Sequence, residues 1–339
     1  MGTTFWHHTK DHEPRKEKST ADRGRNADKP SEIPAKGWKD TLMRVKKEIN
    51  NDKVSMLAAS MSYYALLACV PAMTSLVLLY AWFSDPAEIS RHIAELSRFL
   101  PAEAEKILRD QLVALSSKAP TTLGLSAIGT LLFSLWSASK GSTSVIEAMN
   151  IIYGEKECRG FVKRTLMALG MTLLGTILSL VAIVVVVAMP AITGAFNFGP
   201  MFETLGSIAG WIVLLFLFSF YLSSVYRFGP CRQKAKWQWV SRGSFIASVL
   251  WAATSLLFSW YASNFADFNK TYGSLGAVVV LMTWFWISSY IILLGGEINS
   301  ELERQTTKDT TTGRPRPLGA RAAHAADTVG PSAEELKKA

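Results

Sequence analysis

The chain has 339 residues, 49% of them hydrophobic, a mean hydropathy of +0.18 and a formal net charge of +9. In a soluble protein that charge would point to nucleic acid, but here the charges are gathered into blocks between long uncharged runs, which excludes that partner and points to an all-α membrane protein. Neither a Walker loop nor a Gly-rich dinucleotide turn is present, so nothing in the sequence marks a nucleotide-driven pump.

Six gaps between charged residues are long enough to cross a bilayer, which takes about 20 helical residues. They hold 31 residues (54–84), 21 (119–139), 38 (165–202), 23 (204–226), 24 (243–266) and 26 (271–296). The 38-residue run is too short for two spans and a turn, and Pro190, Gly194, Gly199 and Pro200 break its second half, so six transmembrane helices are expected. Placing the N-terminus in the cytoplasm puts 30 of the 36 Lys and Arg residues on the inner side, which is the orientation that the positive-inside rule favours. Both ends are then cytoplasmic.

In chain order, residues 1–36 are polar and poor in branched aliphatics, and are expected to be a disordered cytoplasmic tail. His7, His8 and His12 fall there without acidic or cysteine ligands beside them, so no metal site is expected. The six-helix domain spans residues 37–303. Its first stretch places Trp38, Leu42, Val45 and Ile49 at helical spacing among lysines and an arginine, as in an amphipathic helix on the inner membrane surface. The first span carries a stripe of small residues from Ser55 to Ala72, a Tyr63-Tyr64 pair near mid-depth, and Pro71, which removes a backbone bond and is expected to kink or break the helix. Residues 85–122 read as an amphipathic helical hairpin in the first outer loop, split at Pro101. The second span ends at Lys140-Gly141, which is expected to break it before a short helix with Glu147 and Asn150 on one side.

The third span follows a basic anchor of Arg159, Lys163 and Arg164. The fourth meets a second basic loop with Arg227, Arg232, Lys234, Lys236 and Arg242, interleaved with Trp237 and Trp239. At a membrane boundary such loops contact lipid headgroups. The last span begins after Tyr272 and ends at Gly295-Gly296-Glu297, with Asn299 beyond. A carboxylate just inside a membrane helix is costly without a partner. Glu297 is therefore expected to face the bundle interior and to pair with Lys140, at matched depth, with Arg164 as second choice. Residues 304–339 are Thr-, Pro- and Ala-rich and are expected to be a second disordered tail. Of the three cysteines, Cys69 lies in the first span and Cys158 and Cys231 in inner loops, so no disulfide is expected.

Three stretches, AASMSYYALLACVPAM (58–73), LWSASKGSTSVIEAMNIIYG (135–154) and YGSLGAVVVLMTWFWISSYIILLGGEINSELE (272–303), resemble the bacterial YihY/BrkB family of inner-membrane proteins over roughly residues 40–303. The resemblance implies a six-helix integral membrane protein with cytoplasmic ends, in a family named for virulence or serum resistance and connected with envelope lipid transport. The family's old label, ribonuclease BN, finds no chemistry here: metal-dependent hydrolysis needs clustered ligands, and His7, His8, His12, His92 and His324 are scattered over the tails and an outer loop. No catalytic, cofactor or metal residues are expected.

Two functions fit. One is a transporter or flippase for an amphipathic envelope molecule such as a lipid, its polar groove or packing contacts drawn from Tyr63, Tyr64, Pro71, Lys140, Glu147, Asn150, Glu297 and Asn299. The other is a non-transporting scaffold acting through the basic loops. Membrane lipids are the expected partners, and a homo-oligomer fits either function.

Overall fold

The computed structural model describes residues 22–81, 125–195, 200–264 and 276–338. Among the described residues seven long helices carry the fold: α1 (Ala35–Asn51), α2 (Val54–Ala81), α3 (Leu125–Ile152), α4 (Phe161–Ala195), α5 (Pro200–Phe228), α6 (Trp237–Asn264) and α7 (Gly276–Glu303). Among the described residues, each of the six uncharged runs thus falls mainly on one helix, α2 to α7. Four of these contain segments long and apolar enough to cross a membrane: Phe161–Val186, Ile208–Phe228, Trp237–Tyr261 and Val278–Glu303. A shorter apolar stretch, Val54–Cys69, lies in α2. The hairpin expected over 85–122 and residues 1–21 of the first tail lie outside the described residues.

A kink or break is expected at Pro71 and a break at Lys140-Gly141, and neither helix is interrupted. α2 continues through Pro71, and α3 runs unbroken through Lys140 and Gly141. Gly141 has a packing reason instead: a Cβ there would stand 3.2 Å from the Cβ of Ala68, so the glycine lets α3 approach α2 closely. α4 likewise passes through Pro190 and Gly194 to Ala195, while Pro200 sits at the first position of α5, where its missing N–H costs nothing.

The helices pack in chain order, α2 on α3, α3 on α4, and so on to α6 on α7, and α7 closes the ring against α2. α7 also touches α1 and α3. The main apolar core lies at the α1 end of this ring, where Met61, Met149, Ile152, Leu222, Val225, Tyr226, Val240 and Leu293 meet. Elsewhere large side chains such as Leu132, Phe133, Phe216 and Leu257 face outward, as lipid-facing positions do.

Over the core end sits a folded cap, and here the disorder expected of both tails is overturned for residues 22–36 and 304–338. Thr307 N donates to Arg25 O at 2.7 Å, Gly330 N to Arg304 O at 2.9 Å and Gln233 N to Ala322 O at 2.9 Å, and Ala235 bridges to Thr311 in antiparallel fashion. Arg321, 4% exposed, donates to the carbonyls of Thr307, Lys308, Arg316 and Ala326. The composition misled because the cap needs few branched aliphatics: guanidinium groups satisfy its carbonyls, and buried alanines (Ala323, Ala325, Ala326, Ala333) fill it. α1 is part of the same cap. Its Asp40, Thr41, Arg44 and Val45 are buried, while Leu42 is exposed, so the face that turns inward is largely polar.

Cys158 and Cys231 are joined as a disulfide, 73 residues apart in sequence with Cα atoms 5.8 Å apart, against the expectation of none. Loop position alone hid this, since the two loops meet only because Asn150 and Arg159 hold them together. Cys231 N donates to Asn150 Oδ1 at 2.7 Å, and Arg159 donates to the carbonyls of Phe228 and Gly229. Closing a long loop contributes about 2–4 kcal/mol, chiefly through the unfolded state. Cys158→Ser is expected to lower the melting temperature in detergent by an amount in keeping with the low end of that range, because the junction keeps its hydrogen bonds. A variant that fails to fold at all would contradict this.

Candidate functional site

The polar residues at the cap end of α7 form the densest charged site among the described residues. Glu301 and Glu303, both about as buried as any side chain in the chain, take their cations from different elements. Arg44 of α1 donates to the Glu301 carboxylate, to the Glu301 carbonyl at 2.9 Å and to Gln305 Oε1 at 2.9 Å. Arg304 reaches Glu301 as well and lies 3.8 Å from Glu48. Arg232 and Glu303 form an ion pair in which both side chains are 0% exposed; Thr310 Oγ1 donates to Glu303 at 2.8 Å, and the guanidinium carbon lies 4.4 Å from the centre of the Tyr153 ring. Charges this far from water persist only when paired and hydrogen-bonded, and these are.

Glu297 differs. It is 1% exposed, as expected of a residue facing the interior, but its Oε1 has no hydrogen-bond partner. The expected partners do not reach it. Lys140 is exposed and sits over the Trp136 ring at 4.9 Å, and Arg164 is bound to Glu147 at 2.6 Å. Matched depth was the wrong criterion, because it ignores which way a side chain points around its helix. A second carboxyl, Asp52, in the turn between α1 and α2, lies close enough to Glu297 for the two to interact. Burial raises the Asp52 pKa above its ordinary value, and Glu48 and Glu301 add to the rise. The hydroxyl of Tyr153, fully buried, also lacks a hydrogen-bond partner and lies near Asn299 and Glu297. Burial raises its pKa as well, opposed by Arg232.

The other candidates are clamps or surface. Asn299 accepts from Gly243 N at 2.8 Å and donates to Val240 O at 2.9 Å, stitching α7 to α6. Asn150 donates to Glu157 at 3.0 Å and accepts from Cys231 N. Although burial pushes Glu157 up, Arg159 and Asn150 hold it down at about 2. Glu157 also stands beside the two cysteine sulfurs, but its carboxylate is already taken by Arg159 and the sulfurs by each other. Tyr63 and Tyr64 are 52% and 40% exposed with ring centres 5.4 Å apart, on the outside of α2. They begin about 16 Å along α2 from Asp52 at about 1.5 Å per residue, so the structure does not bring them to Glu297.

The basic residues expected at headgroups divide between the interior and the surface. Arg159 ties the loop after α3 to the end of α5, Arg232 holds the cap through Glu303, and Lys236 Nζ donates to Asp309 O at 2.7 Å. Arg227 lies over the Trp237 ring at 4.5 Å, and Lys234 over Phe228 at 5.0 Å. Lys163 and Arg242 remain exposed without such contacts among the described residues. The sequence did not mark Asp52 or Tyr153, and it placed Arg44 on the polar face of a surface helix, whereas the side chain is buried. Arg44 was legible in principle as a charge at an a-like position of α1, three residues after Thr41 and four after Asp40, which share its buried face.

The family described as Virulence factor BrkB matches residues 45–318, which runs past α7 into the cap. A protein of Bacillus subtilis (strain 168) named "Putative ribonuclease-like protein YfkH" is 28% identical over 73% of this chain and 90% of its own length. UPF0761 membrane proteins of Photobacterium profundum and Vibrio parahaemolyticus are each 25% identical, over 81% and 76% of this chain and 84% and 81% of their own lengths. No solved structure matches the chain.

Proposed function

The chain belongs to the virulence factor BrkB family of multi-pass membrane proteins, and on that premise we propose that it moves an amphipathic envelope molecule, of the phospholipid class, across a bacterial inner membrane. In this reading all six helices α2 to α7 cross the membrane, the cap lies on the cytoplasmic side, and both chain ends are cytoplasmic. The excess of basic residues on that side supports the orientation. The observation that carries the transport reading is Glu297. A membrane helix keeps an uncompensated buried carboxyl at a cost, and such residues mark pathways and relays. A ribonuclease reading finds no support in the described residues, whose carboxylates at this site are bound to arginines or to one another.

A scaffold is the second reading, favoured by the cap, where Asn150, Asn299, Arg44 and Arg232 are all engaged within the chain. Purified protein in liposomes with a fluorescent phospholipid separates the two. Transport predicts that quencher-accessible lipid reappears several-fold faster than in protein-free vesicles, and that Glu297→Ala removes most of the gain. Rates equal to protein-free vesicles would overturn transport and leave the scaffold.

A further inference from the structure

We propose that Glu297 and Asp52 form a proton-binding site, in which one proton is held between the two carboxyls and exchanges with the cytoplasm through Asp52. The inference rests on the transport reading only for its purpose; the site itself stands on the geometry. Around Glu297 the charges can be matched one by one. Arg44 and Arg304 neutralise Glu301 and Glu48, and Arg232 neutralises Glu303. Lys53, next to Asp52, is exposed. That leaves Asp52 and Glu297 as two interacting carboxyls, neither in an ion pair among the described residues, with Arg304 acting on Asp52 only as a weaker, longer-range charge. Two carboxylates sharing a site cannot both ionise cheaply, whereas one proton between them turns the repulsion into a hydrogen bond.

A second observation points the same way. The buried hydroxyl of Tyr153, itself without a hydrogen-bond partner, lies close enough to Glu297 to feel its charge, so a second unsatisfied polar group shares this part of the interior. The two carboxyls also differ in access. Glu297 is sealed, while Asp52 is half-buried at the cap surface, so the pair spans the step from solvent to bundle interior. A relay needs that arrangement: one group that meets water and one that does not. The bound species is then a proton from solvent, with no oxidant or co-reactant required.

Thermal unfolding of the full chain in detergent tests the site without any transport assay. A group that binds its proton more tightly folded than unfolded contributes stability that is full at low pH and is lost as pH rises through its folded value. The melting temperature of the wild type is therefore expected to fall as pH rises above the ordinary carboxylate range, about 4. Glu297→Gln, which keeps the shape and removes the titration, is expected to flatten that slope and to melt above wild type at the alkaline end. Asp52→Asn is a second, more exposed variant should Glu297→Gln not yield protein. Slopes that are unchanged in either variant would overturn the proposal. So would a wild-type melting temperature that follows sodium or magnesium concentration at fixed pH rather than pH itself, since that is the mark of a metal cation between the carboxyls. A flattened slope alongside failed lipid movement would keep the proton site and discard the transport reading.

Discussion

Arg232→Met is expected to cost about 3–5 kcal/mol, because it leaves the Glu303 carboxylate buried with only Thr310 to satisfy it. The loss would appear first in the cap. Residues 304–338 lean on Arg232 through Glu303 and on the loop around Ala235, so limited proteolysis should nick that segment well below the temperature at which the helices unfold. Arg232→Met combined with Glu303→Leu removes both charges and is expected to recover most of the stability, since a buried ion pair replaced by apolar groups of similar volume is close to neutral. If the single variant melts with the wild type, the pair is not closed to water in the working protein.

Gly295→Ala is expected to be nearly as damaging, for steric reasons. A Cβ at Gly295 would collide with the Tyr226 hydroxyl and come within 2.7 Å of the Ala247 Cβ and 3.0 Å of the Gly243 carbonyl oxygen. The backbone of α6 cannot step aside without opening the Asn299 clamp, and overpacking of this kind costs about 1–3 kcal/mol. Displacing Tyr226 also unmakes its 2.7 Å hydrogen bond to Ile292 O in the core, adding about 1–3 kcal/mol. Gly129→Ala and Gly170→Ala are the controls. Neither Cβ would meet anything within 4 Å, so both should be neutral or slightly stabilising through helix propensity. Equal melting temperatures across all three variants would show that α6 and α7 are not held by this crossing.

The helices were legible in the sequence because a bilayer demands long uncharged stretches, and charge gaps record that demand directly. Glu297 was legible as an interior residue for the same reason. Its neighbour was not, because the spacing that places Lys140 at a given depth says nothing about its rotation around α3, which carries it outward over Trp136. Basic loops show the same limit. Counting Arg159, Arg232 and Lys236 gives a side of the membrane, yet each spends its donors on carbonyls or carboxylates of the chain itself. The cap was hidden more deeply. A segment held by Arg321 and its four carbonyl partners has the composition of a disordered tail, since its order comes from long-range hydrogen bonds and not from apolar content. Gly141 misled because inside a long helix a glycine can serve packing, as it does here against Ala68.

The ring closes α7 against α2, and the cap joins residues 22–36 to residues 304–338. A ribosome makes the first of these segments early and the second late. During synthesis α2 therefore forms with its seam toward α7 open, and Asp52 waits without Glu297 until more than two hundred further residues have been made. Arg25, Arg44 and Asp40 wait in the same way for the carbonyls and amides of the C-terminal segment. Closure is thus the last event of biogenesis, and a nascent chain released short of α7 presents an unsealed edge and a row of unmet cations to the quality-control proteases of the cell.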